Sequence, residues 1–233
     1  MPVADFRRPA NPFATRFLIP GASAYCRIDR QNGTLRSSDR DSLQWLLGRI
    51  ERHRWGAIQG PHGSGKSTLL VALRPALHDR FGPPGTLRFR PGQSAADYAA
   101  AVEQLARSPV DRLWLIDGWE RLPRAAAWGL RCVARLRRLR LLVTLHHEAA
   151  RWPVIWRTAL DPQLARRLTW ERLDDWPRHR PLLMASWEAR WERAAGDLRE
   201  SWFELFDAFE SLDRQGMLSE AWSAELPEPG HGE

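Results

Sequence analysis

The chain has 233 residues, 43% hydrophobic and 27% charged, the balance of a folded globular protein and not of a disordered one. Its formal charge is +7 and it has only two cysteines, Cys26 and Cys132, which excludes a disulfide framework and makes a reducing compartment, the cytoplasm, the expected location. The opening MPVADFRRPANPF lacks the apolar stretch of a signal peptide, and no run approaches the roughly 18 apolar residues of a membrane span, so no membrane association is expected.

Residues 1–40 read as an extended, loop-like segment with breakers at Asn11-Pro12-Phe13 and Pro20-Gly21. Asp41 to His53 then places Leu43, Leu46, Leu47 and Ile50 on one helical stripe. Trp55 to Gln59 reads as a short buried strand leading into Gly60-Pro61-His62-Gly63-Ser64-Gly65-Lys66-Ser67-Thr68. That run has the P-loop spacing, GxxxxGK followed by a hydroxyl residue. Glycines let the backbone curl so that its N–H groups and the next helix N-terminus surround a phosphate chain. The lysine supplies a compact charge that reaches the β and γ phosphates, where the planar fork of arginine is too wide. Of the chain's 35 basic residues, Lys66 is the single lysine. A bias toward arginine that spares this one position points to a working phosphate loop.

Ser67 to Leu77 reads as the following helix, ended by the turn cluster Phe81-Gly82-Pro83-Pro84-Gly85. Thr86 to Arg90 alternates as a strand, Ala95 to Arg107 reads as a helix, and Arg112 to Ile116 as a buried strand. That strand ends in Asp117, the Walker B form, where a carboxylate at a strand tip near the loop holds magnesium or its waters. Glu120 lies three residues on, a candidate for orienting the attacking water. Arg124 to Arg138 is helical, with Arg131, Arg135 and Arg138 spaced as a basic face suited to nucleic acid or an acidic protein. Leu141 to Leu145 is another buried strand, with Thr144, His146 and His147 at its end as polar groups toward the γ phosphate; Thr144 is the better in phase. Leu164 to Leu173 reads as a weak helix or strand.

Alternating strands and helices over 41–173 predict a three-layer α/β core around a parallel sheet of about five strands. From about Asp174 only helices are expected, Pro181 to Ala195 and Leu198 to Leu212, as a small lid packed through aromatics over 174–214, with 215–233 a disordered tail. In the first turn of the last helix, Arg199 opposes the helix dipole unless an anion lies close.

With the P-loop, the Asp117 strand, Thr144 and the Gly196-Asp197-Leu198-Arg199 helix in order, the chain resembles the AAA+ and ORC-like ATPases among the P-loop NTPases over residues 11 to about 210, most of all small bacterial members of unassigned function. The resemblance implies ATP and magnesium, with Gly60 to Thr68 around the phosphates and Lys66 acting in catalysis. It implies Ser67 and Asp117 at the metal, Glu120 as catalytic acid residue, Thr144 as sensor 1, Arg199 as sensor 2, and Asn11 and Phe13 against adenine. It also implies oligomers in which Arg157, Arg166 or Arg167 completes a neighbour's site. The family's adjacent Asp-Glu is here Asp117-Gly118, with the glutamate displaced to 120. An Asn-Lys-x-Asp guanine reader is excluded, because the one lysine lies in the loop. The leading expectation is a slow magnesium-dependent ATPase acting on a protein or nucleic-acid partner. The alternatives are a small-molecule kinase on the same loop, or a nucleotide-dependent DNA-binding switch with little turnover.

Overall fold

The structure, a computed structural model, describes residues 11–18, 40–146, 152–177 and 179–215. The remainder of the N-terminal loop, His147, and residues 216–233 of the expected tail lie outside the described residues. The chain divides between Ala159 and Leu160 into two compact units, the second of which also takes in the N-terminal residues up to Ile19.

The α/β unit contains α1 (Arg40–Arg52), β1 (Trp55–Gln59), α2 (Lys66–Phe81), β2 (Gly85–Arg88), α3 (Ala95–Ala106), β3 (Leu113–Asp117), α4 (Arg124–Leu136), β4 (Arg140–Leu145) and β5 (Val154–Arg157). The strands form one parallel sheet in the order β2-β3-β4-β1-β5. Strand periodicity sorts the side chains into two layers. Ile58, Leu113, Leu115, Leu142 and Ile155 face α1 and α2, packing on Leu46, Ile50, Leu69 and Leu73. Ala57, Trp114, Ile116, Leu141 and Val143 pack with Ala101 and Leu105 of α3 and Leu130 and Ala134 of α4. The three-layer α/β fold and the five-stranded sheet are therefore as the alternation of elements predicts.

Three local outcomes add to the sequence reading. β5 is a strand although Pro153 stands in front of it; proline is harmless there, because its carbonyl, not an N–H, joins the sheet by accepting from Ala57 N at 2.9 Å. The segment left between helix and strand is helix α5 (Pro162–Arg172), started by Asp161, whose side chain accepts from Leu164 N at 2.8 Å, with Pro162 at the first helical position. It belongs to the helical unit, which takes in the chain from Leu160 on.

The helical unit continues with α6 (Arg180–Met184), α7 (Trp187–Arg193) and α8 (Leu198–Arg214). Its core holds Ala165, Leu173, Trp176, Leu183, Trp187, Leu205 and Phe209, with Trp176 edge-on to Phe209 at 4.8 Å. Thr169 accepts from Trp202 Nε1 at 2.9 Å, which binds α5 to α8. Residues 11–18 are part of this unit: Phe13 is fully buried in its core, and Arg172 donates to the carbonyls of Pro12 and Phe17.

The basic stripe does not form as spaced. α4 stops at Leu136, and Arg138 stands beyond it with φ 53°, inside a Schellman closure made by Leu139 N to Ala134 O at 2.8 Å and Arg138 N to Arg135 O at 3.1 Å. The Arg131 guanidinium lies 5.5 Å and 5.3 Å from the ring centroids of Trp119 and Trp152, and that of Arg135 lies 5.2 Å from Trp55. A left-handed arginine costs about 1 kcal/mol that glycine does not. Arg138→Gly is therefore expected to raise stability, by up to about 1 kcal/mol after the entropy that glycine adds to the unfolded chain. Urea denaturation checks this; a loss of stability would show that the arginine side chain outweighs the backbone strain.

Candidate functional site

Parallel strands bring their C-terminal ends to one edge of the sheet, and β4, between β1 and β3, makes those three ends neighbours. The loop 60–65 leaves β1 and returns into α2. Gly63 and Gly65 take left-handed φ values of 67° and 86°, and Gly65 is the N-cap of α2. The first turn of that helix therefore opens at the loop with Lys66, Ser67 and Thr68, whose N–H groups have no intrahelical partner.

Gly60 is required for a reason the spacing does not show. A Cβ there would lie 2.1 Å from Thr158 Oγ1 and 2.4 Å from the Thr158 carbonyl oxygen. The chain after β5 thus presses on the loop entrance, and Ser64 Oγ closes the contact at 2.6 Å from Thr158 Oγ1. Backbone cannot yield as a side chain would. Gly60→Ala is expected to cost roughly 1–3 kcal/mol, in the range for overpacking a tight site, and urea melting of the full chain measures it; an unchanged midpoint would mean that the strand end yields freely.

Lys66 is nearly buried, 6% exposed. Its Nζ donates to Gly60 O at 2.6 Å and Pro61 O at 2.5 Å and lies 3.1 Å from His146 Nδ1. The Asp117 carboxylate gathers three side chains: Ser67 Oγ donates to Oδ2 at 2.8 Å, Thr144 Oγ1 donates to Oδ1 at 2.8 Å, and Arg88 Nε lies 3.2 Å from Oδ2. Thr144 is buried and its hydroxyl also accepts from Gly118 N at 2.8 Å. The structure thus brings together Lys66, Ser67, Asp117 and Thr144. Thr144 turns its side chain to the site, and His146, two residues on, reaches it too.

Glu120 sits in a 3-10 turn (Trp119–Arg121), with Oε1 2.9 Å from His146 Nε2 and 3.9 Å from Arg121 Nε. Burial pushes its carboxyl above the ordinary value; its own backbone N–H, Arg121 and Lys66 pull it down, and Asp117 adds to the rise. A carboxyl raised in the fold contributes stability that is fully present below its unfolded value, near 4.3, and lost as pH climbs through its folded value. Glu120→Gln, neutral at every pH, is therefore expected to be more stable than the wild type at pH 7, with the gap closing toward pH 4. Denaturation at the two pH values checks this, and a less stable variant at pH 7 would show that the carboxylate's partners outweigh its burial.

Arg88, missed by the sequence reading, ends β2 in register with Asp117; only knowing that β2 and β3 pair reveals the contact. Thr158 was missed with β5. The spacing marks His62 only as a loop position, yet its ring stacks on His146 at 3.6 Å. Of the other predicted site residues, Asn11, Phe13 and Arg199 lie in the helical unit. Asn11 Nδ2 donates to Glu210 Oε1 at 2.7 Å, and its Oδ1 accepts from Phe13 N at 3.0 Å. Arg199 donates to Leu18 O at 3.4 Å, in a turn whose Asp197 side chain accepts from the Arg199 and Glu200 N–H groups. Of the finger candidates, Arg157 donates to Gln59 Oε1 at 2.7 Å, Arg166 pairs with Glu188 and Arg167 with Glu171, each pair at 3.5 Å.

Sheet order and phosphate loop together define the class of fold, a three-layer α/β fold of the P-loop NTPase kind. No protein-family model matches the chain, and no curated protein matches it. Among solved structures it is similar to the structure of C. elegans PCH-2, with a TM-score of 0.40 and 15% identity over 59% of this chain and 46% of that one. The chain spans less than half the length of that protein's chain. Among the described residues no helix is long and apolar enough to cross a membrane.

Proposed function

We propose that the chain binds ATP with magnesium and hydrolyses it slowly, using its nucleotide cycle on a protein or nucleic-acid partner, as its likeness to AAA+ ATPases implies. The observation that carries this reading is the meeting of Lys66, Ser67, Asp117 and Thr144 at one sheet edge, beside the opening turn of α2. The donor set fits magnesium: a hydroxyl and a carboxylate 2.8 Å apart are hard oxygen ligands. Ser67 and Asp117 would hold the ion, which supplies charge neutralisation at the β and γ phosphates when bound.

The protein's own groups do the rest. Lys66 exchanges the Gly60 and Pro61 carbonyls for phosphate oxygens, a charge-assisted contact stronger than one to a neutral carbonyl. Thr144 fixes Asp117 from the strand between loop and acid. Glu120, with its carboxyl raised toward the working pH, takes the proton of the attacking water. The partner surface is the outer side of α4, where Arg124 and Arg135 flank the exposed Trp128 and no acidic residue occurs between 121 and 147.

Lys66→Ala is expected to abolish most ATP affinity by calorimetry. Glu120→Gln is expected to lower phosphate release by about 10²-fold or more while leaving affinity nearly intact. Equal ATP binding by wild type and Lys66→Ala would overturn the reading.

A further inference from the structure

His146 is placed by three elements at once. Its ring, 14% exposed, stacks on His62 of the phosphate loop at a centroid distance of 3.6 Å and an interplanar angle of 21°. Nδ1 lies 3.1 Å from Lys66 Nζ at the start of α2, and Nε2 lies 2.9 Å from Glu120 Oε1 in the turn after β3. An ammonium group can only donate. Nδ1 therefore accepts and holds a lone pair, and the ring's N–H is on Nε2, where it donates to the carboxylate. One tautomer satisfies both neighbours.

Glu120 needs such a partner. It stands in a short turn three residues past Asp117, and a carboxylate that must meet one water works only when its orientation is fixed. We infer that His146 is the positioning residue for Glu120, holding the carboxylate in register with the phosphate loop through His62 and Lys66. The inference rests on reading Glu120 as the group that activates water. It adds that the loop and the carboxylate are mechanically joined through one imidazole, so that a change in what Lys66 binds is felt at Glu120.

Two arms test this on the full-length chain. In the first, His146→Phe keeps a ring to stack on His62 but removes both nitrogens, while His146→Gln keeps an N–H donor near the Nε2 position. His146→Phe is expected to lower ATP turnover roughly 10- to 100-fold, the size of effect that outer partners have on the groups they orient, and to change ATP affinity by much less than it changes turnover. His146→Gln should recover most of the rate. Adding His146→Phe to Glu120→Gln should cost little more, because the two act as a unit. Unchanged turnover in His146→Phe, or a full additional loss in the double variant, would overturn the inference. In the second arm, nitrogen-15 spectra of labelled histidines in the nucleotide-free protein should show His146 protonated on Nε2 and unprotonated on Nδ1, with its signals displaced by Glu120→Gln and by Lys66→Ala. The opposite tautomer, or signals indifferent to both substitutions, overturns it as well. A wild type that hydrolyses no ATP while the spectra behave as expected would overturn the ATPase reading and leave the Lys66–His146–Glu120 linkage standing.

Discussion

Much of the α/β unit is organised around the carboxylate of Asp117. Its two oxygens accept from Ser67 at the head of α2 and Thr144 near the end of β4, with Arg88 from the end of β2 beside them. A hydroxyl or carboxylate left unpaired in such a place costs about 1–3 kcal/mol, so each partner has reason to stay. The contact is possible only because β4 lies between β1 and β3. Sheet order and site geometry are therefore one constraint: a sheet that put β4 elsewhere would leave Thr144 away from the acid. The same oxygens suit a divalent cation, so the arrangement that steadies the strand ends also assembles a ligand set.

The elements that were legible from sequence are those whose signal is local. β1, β3 and β4 are short apolar runs buried on both faces, and such strands need no partner information to be recognised. α3 falls where Ala95 to Arg107 reads as a helix, and the structure starts it with a capping box between Ser94 and Asp97. The loop is legible because its glycines, lysine and hydroxyl each answer to a phosphate. α2 runs to Phe81, past the predicted end at Leu77, and keeps Pro75 inside it; Leu73 and Leu77, on either side of the proline, pack in the sheet's core and offset its penalty.

What was not legible depends on pairing across the sheet or on where a helix ends. Arg88 reaches Asp117 only through the register of β2 with β3. The reason for glycine at 60 lies nearly a hundred residues away, in Thr158. Spacing placed Arg138 on the α4 face, but the helix closes two residues earlier and turns it into a left-handed corner. Spacing reads Arg131 and Arg135 as a surface stripe; their planar guanidinium groups lie over tryptophan rings, Arg135 while staying exposed, a use for arginine that lysine serves less well. Part of the chain's arginine content and part of its tryptophan content are thus spent on each other.

The displaced glutamate is a matter of packing. Between Asp117 and Glu120 the chain inserts Gly118 and Trp119. Gly118 is left-handed, with φ 83°, and a Cβ there would lie 2.7 Å from the Phe89 carbonyl oxygen, so only glycine allows the chain to bend at that point. Its N–H is secured by Thr144. Trp119 then buries its ring edge-on to Trp152 at 4.9 Å, which anchors the turn in the α3–α4 layer. These two residues take up the extra length, one by bending and one by anchoring, and the next residue is delivered to the imidazole of His146. An adjacent glutamate at position 118 would need a left-handed, side-chain-bearing residue against a carbonyl. The fold excludes that solution, and the step to 120 is the shortest one that both anchors the turn and returns a carboxylate to the loop.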